Sequence, residues 1–72
     1  MIEKLDRILE EINKDILVND NLIEMGIISS LDVIAIVSEI EVELGVEIAP
    51  EDIISDNFKS YETIKKLYLK YV

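Results

Sequence analysis

The sequence predicts an all-α fold, a small bundle of three main helices and one short one. Three observations carry that expectation. Apolar residues recur at helical spacing in the first and last segments. Serines stand where two helices would begin. The β-branched run Val33-Ile34-Ala35-Ile36-Val37 lies between a serine cap and a closing glycine, which favours a helix over a strand.

The first helix is expected from Ile2 to Ile16. Ile2, Leu5, Leu9, Ile12 and Ile16 form one stripe, Ile8 widens it, and charges fill the other side. Leu17 to Ser29 reads as a long connection. Val18-Asn19-Asp20-Asn21 has turn composition, while Leu22, Ile23, Met25, Ile27 and Ile28 are apolar enough to pin the loop to the core. Gly26 marks a backbone position with positive φ or a close approach. The second helix is expected from Ser30 to Leu44, capped by Ser29 with Asp32 completing a capping box and stopped by Gly45. Ile34, Val37, Ile40 or Glu41, and Leu44 would face inward, with Val33, Ala35 and Val42 outward. Pro50 opens a helical turn, and Glu51-Asp52-Ile53-Ile54 reads as the short third helix. Phe58 anchors the next connection. Ser60 caps the last helix, Tyr61 to Tyr71, whose inner stripe is Ile64, Leu67, Tyr68 and Tyr71. The tyrosines read as packing residues with hydrated hydroxyls.

The 72 residues make one domain, 1–72, with one small core. Half of them are apolar, which argues against disorder despite a net charge of −9. Without cysteine there is no disulfide or zinc-thiolate site, and without histidine no Ser-His-Asp triad. The expected class is therefore not an enzyme, and a serine hydrolase lacks its base. No EF-hand spacing is present, so no metal site is expected. No apolar run reaches the roughly 20 residues needed to span a bilayer, and no secretory segment opens the chain, which leads to a cytoplasmic monomer. No lysine or arginine occurs between Lys14 and Lys59, an interval that holds eleven carboxylates. Such a middle repels nucleic acid and anionic membranes and attracts basic protein patches.

The most informative stretch is Met25-Gly26-Ile27-Ile28-Ser29-Ser30-Leu31-Asp32. A glycine-marked loop delivers two hydroxyls to the first turn of an apolar helix. Taken alone, the serines read as a capping pair without chemistry. Asp20-Asn21-Leu22-Ile23-Glu24-Met25-Gly26-Ile27-Ile28-Ser29-Ser30-Leu31, however, resembles the phosphopantetheine attachment motif of acyl carrier and peptidyl carrier proteins. Ile40-Glu41-Val42-Glu43-Leu44-Gly45-Val46-Glu47-Ile48 resembles the end of that family's second helix, and Phe58-Lys59-Ser60-Tyr61-Glu62-Thr63-Ile64 the entry into its last. The resemblance spans essentially the whole chain.

It implies an acyl carrier protein-like bundle with 4′-phosphopantetheine covalently attached at Ser30, the serine that precedes Leu31. The cofactor would supply the thiol that the chain lacks. Ser29 stands where relatives have aspartate, and it is also a second hydroxyl next to the expected one. The implied partners are a phosphopantetheinyl transferase and enzymes that load and transfer acyl or aminoacyl groups through basic docking patches. They would meet Ser29, Leu31, Asp32, Val33, Ala35, Glu39, Glu41 and Glu47. The two residues between Gly26 and Ser29 resemble the spacing of D-alanyl carriers and some stand-alone peptidyl carriers. Three readings stay open: an acyl carrier, an aminoacyl carrier, and an unmodified helical adaptor with the carrier fold.

The carboxylates between Asp15 and Asp56 should repel one another at neutral pH. Moderate salt or divalent cations are expected to raise the melting temperature by screening, which thermal unfolding across a salt series checks.

Overall fold

Asparagine 13 ends the first helix earlier than its apolar stripe suggests. In the computed structural model, which describes residues 2–72, helix α1 runs Ile2–Asn13 and gives way to a 3-10 turn, Lys14–Val18. The Asn13 side chain accepts the Asp15 N–H at 2.9 Å, offering the backbone an alternative to the α-helical ladder. The turn keeps Ile16 fully buried, so the stripe reaches the core although the helix does not reach Ile16.

Helix α2 spans Ser30–Leu44 and helix α3 spans Tyr61–Tyr71, both as expected. Each opens on a capping box, Ser29 with Asp32 and Ser60 with Thr63. Gly45 ends α2 at φ 65°, its N–H donating to the Glu41 carbonyl at 2.8 Å. The short third helix does not form as one α-helix. Two 3-10 turns, Pro50–Asp52 and Ser55–Asn57, occupy that stretch. Neither contains a buried residue, so no apolar face is there to hold a longer helix.

Helix α1 lies against both α2 and α3, whose backbones approach each other at few points. Leu5 and Leu9 meet Ile36, Val37 and Ile40 of α2 and Ile64, Leu67 and Tyr68 of α3 in one cluster. Ile16, Leu22, Ile28, Ile48 and Phe58 complete it from the connections. No polar or charged residue is buried among the described residues.

The inward face of α2 differs from expectation. Ile36, Val37 and Ile40 are buried, with Val33 and Leu44 packed at the margin, while Ile34 is 60% exposed. Val33 and Ala35 are half-buried instead of outward, and Val42 does point outward. Apolar residues occur around most of this helix, so its pattern leaves the rotation to tertiary packing. In the loop after α1, Leu22 and Ile28 are buried and Ile27 partly so, but Ile23 and Met25 are exposed.

The hydroxyls of Tyr61 and Tyr71 are bonded within the protein, where the sequence predicts hydration. Tyr61 donates to Asp6 at 2.7 Å, joining α3 to α1. Tyr71 donates to Asp52 and accepts from the Ala49 N–H at 3.0 Å. Burial, and then the Asp6 carboxylate, push the Tyr61 phenol from 10.0 up to about 12. A folded pKa above the unfolded value stabilises below pH 10.0 and ceases to do so as pH rises to about 12. Urea midpoints should therefore fall across that window, and Tyr61→Phe should reduce the fall while lowering neutral-pH stability by about 1 kcal/mol.

Candidate functional site

The loop before α2 is built around Leu22. Its side chain is fully buried, and its backbone is held through both its N–H and its carbonyl. The Leu22 N–H donates to the Lys59 carbonyl at 2.8 Å, and the Leu22 carbonyl accepts from Ile27 at 2.8 Å and Ile28 at 3.2 Å. Gly26, at φ 71°, turns the chain back between these contacts. Nothing lies within 4 Å of a Cβ built there, so glycine serves the backbone conformation and not a lack of space. Asn13 Nδ2 donates to the Ile27 carbonyl at 3.2 Å and ties the loop to the end of α1. Buried Ile28 then forces the next two residues outward.

Ser29 and Ser30 are both exposed, but they differ in their bonding. The Ser29 N–H donates to Asp32 Oδ2 at 2.9 Å, its hydroxyl donates to the same oxygen at 3.3 Å, and the Asp32 N–H returns to Ser29 Oγ at 3.4 Å. Ser29 and Asp32 are thus occupied with holding the helix start. Ser30, the first residue of α2, has no side-chain hydrogen bond to any described residue, so its Oγ is available to a reagent from solvent. The Val33 N–H is taken by the Ser29 carbonyl and that of Asp32 by Ser29 Oγ, which leaves the amides of Ser30 and Leu31 open. Those amides, with the positive end of the helix dipole, favour an anionic group on the Ser30 oxygen.

An open groove of about 380 Å³ begins at this pair. Ser29 and Ser30 line it with Ile23, with Ile28, Val33 and Ile34 as the wall from α2 and its loop, and with Ile53, Ile54 and Ser55 as the wall from the connection after α2. Helical periodicity assigned Ile34 and Val33 elsewhere and gave Ile53 and Ile54 to a helix of their own. No span of sequence announces the groove, because the exposure of Ile34, Ile53 and Ile54 is settled only by tertiary structure. The far wall is braced by Asp52. Lys70 Nζ reaches its two oxygens at 3.0 and 2.9 Å, and the Tyr71 hydroxyl donates to it as well. The Tyr71 hydrogen bond, and then that from Lys70, hold the Asp52 carboxyl below its usual range.

The remaining expected contact residues spread over α2 and beyond. Leu31 is 75% exposed beside Ser30, Glu39 and Glu47 are exposed, and Ala35 is half-buried. Glu41 is half-buried, and its Oε2 accepts the Ile48 N–H at 2.9 Å, so this carboxylate serves the turn after α2. Among the described residues no group of carboxylates is arranged to hold a metal ion, and no helix is long and apolar enough to cross a membrane.

A sequence profile described as the phosphopantetheine attachment site matches residues 2–68, nearly the whole chain. Proteins of that family carry covalently attached 4′-phosphopantetheine. An unbonded serine hydroxyl at an open helix N-terminus beside a groove fits such a group. No curated protein and no solved structure matches the chain.

Removing either half of the α2 capping box should lower stability by about 1 kcal/mol. Ser29→Ala and Asp32→Ala together should cost well under the sum of the two, because each single change already breaks the reciprocal pair. Chemical denaturation of the two single variants and the double variant checks this.

Proposed function

Because the chain belongs to the phosphopantetheine attachment family, we propose that it is an acyl carrier protein whose prosthetic arm is joined to Ser30. Once attached through a phosphodiester, the arm supplies a terminal thiol that holds acyl groups as thioesters. The observation that carries this reading is the exposed, unbonded hydroxyl of Ser30, a residue that lines an apolar groove. The chain's own residues have three tasks. Leu22, Gly26 and Ile28 aim the hydroxyl outward. The capping box and the open amides at Ser30 and Leu31 stabilise the anion formed there. The groove offers an apolar lining to whatever the arm carries.

That lining favours acyl over aminoacyl cargo. Ile23, Ile28, Val33, Ile34, Ile53 and Ile54 gain from covering a hydrocarbon chain. A charged ammonium would lose its hydration there without finding a partner. The second reading, an aminoacyl carrier, is favoured by the two residues between Gly26 and Ser29. In either case the domain performs no reaction itself. It raises the local concentration of the thioester at each partner enzyme. The transferase and the acyl-handling enzymes would approach over Leu31 and the first turns of α2. Ser29, Asp32, Val33 and Ala35 lie beneath that approach, Glu39 and Glu47 contribute charge, and Glu41 contributes what its bond to Ile48 leaves free. Basic patches on those enzymes would be drawn by the net charge of −9.

Intact mass after co-expression with a broad-specificity phosphopantetheinyl transferase tests the attachment. The mass gain of the arm is expected for the wild type and Ser29→Ala and is lost in Ser30→Ala. No gain with any transferase returns the chain to an unmodified adaptor, and a gain kept in Ser30→Ala moves the attachment point. Incubating the holo-protein with fatty acyl and with amino acid loading enzymes separates the two cargoes, with acyl transfer expected to dominate.

A further inference from the structure

We propose that Asp52, Tyr71 and Lys70 are positioning residues that hold the Ile53–Ile54 wall of the groove, and so set how far an apolar cargo is shielded from water. The part that concerns cargo rests on Ser30 being the attachment point; the part that concerns the wall does not.

The stretch between α2 and α3 is held at its ends by two buried side chains, Ile48 and Phe58. None of the residues from 49 to 57 is buried. Ile53 and Ile54 are 38% and 50% exposed, too open for packing to decide where they stand. Polar contacts do that instead, and they converge on Asp52, the residue just before the wall. Its carboxylate takes both the Lys70 ammonium and the Tyr71 hydroxyl. Its carbonyl accepts from Asn57 Nδ2 at 2.7 Å, which draws the second 3-10 turn onto the first. Its N–H donates to the Ala49 carbonyl at 2.9 Å, and the Ile53 N–H to that of Pro50 at 3.0 Å. Tyr71 closes the loop by accepting from the Ala49 N–H.

Both side chains that reach the Asp52 carboxylate come from the final turn of α3. The wall is therefore hung from α3, while the opposite wall, Ile28, Val33 and Ile34, belongs to α2 and its loop. The two walls are thus carried by different elements, and the width of the groove is the distance between them. The cluster is the element that sets one of them. An apolar chain lying in the groove gains in proportion to the area it covers, so a displaced wall affects a long chain and leaves a short one untouched.

The whole protein is compared as wild type, Tyr71→Phe and Lys70→Arg. In the unmodified form, amide hydrogen exchange at Ala49 and Ile53 reads the wall directly. Tyr71→Phe should speed both about tenfold, from loss of a hydrogen bond to a charged group, while the amides of Leu9 and Ile40 remain unchanged. Lys70→Arg, which keeps the ion pair, should match the wild type. Unchanged exchange at Ile53 in Tyr71→Phe overturns the proposal, whatever Ser30 carries. In the holo-form loaded with octanoyl or acetyl thioester, hydroxylamine cleavage reads the shielding. Tyr71→Phe should release the octanoyl group at least about threefold faster than the wild type and the acetyl group at the same rate. Equal octanoyl rates, or equal acceleration for both chains, overturn the role in shielding. If Ser30 accepts no arm, the unchanged mass shows it beforehand, and the exchange of Ile53 still decides whether the cluster holds the wall.

Discussion

The outward placement of the Ser30 hydroxyl depends on a single buried residue, Leu22. Burying its side chain removes the loop after α1 from solvent at one point. The energy of that burial, roughly 2 kcal/mol for a leucine, would be spent on desolvating the peptide if the peptide were left unpaired. It is not. The N–H is bonded to the entry of α3 and the carbonyl to the residues that lead into α2. One residue thus joins its loop to the distant entry of α3 and to the residues just ahead of α2, and the direction in which α2 starts follows from it. Ile28 and the Ser29 cap refine that direction but do not create it.

What the sequence discloses and what it conceals divide along physical lines. Caps are local: Ser29 with Asp32, Ser60 and Gly45 each satisfy backbone groups within a few residues, so α2 and the start of α3 are legible from short spans of sequence. The end of α1 is less so, because Ile16 stays in phase with the stripe while Asn13 turns the backbone out of the helix. The rotation of α2 is least legible of all. With isoleucine and valine on most sides, several rotations would bury similar area, and contact with α1 chooses among them. The groove was invisible for a related reason. Its walls come from separate segments, one at the start of α2 and one beyond its end, and no single segment shows that its isoleucines stop short of burial.

The surface is charged without being internally neutralised. Lys4 with Glu43 at 3.4 Å and Lys65 with Glu62 at 3.5 Å are exposed pairs, of the kind that contributes little. The pair with a defined task is Lys70 with Asp52, where the carboxylate is 16% exposed and shared with a tyrosine. Most carboxylates in the middle of the chain are left facing water, beside an apolar patch at Leu31 and Ile34. A partner would therefore be gathered by charge at long range and held by apolar contact at short range.

Gly26 and Gly45 share one property with a practical outcome. Both have positive φ, and neither has an atom within 4 Å of the position a side chain would first occupy. The penalty for replacing them is thus one of backbone preference alone. Asparagine, which visits the left-handed region more readily than other residues, is the mildest exchange at either position, and valine or isoleucine the harshest. Drift at these two sites through related sequences should follow that ranking, not residue size.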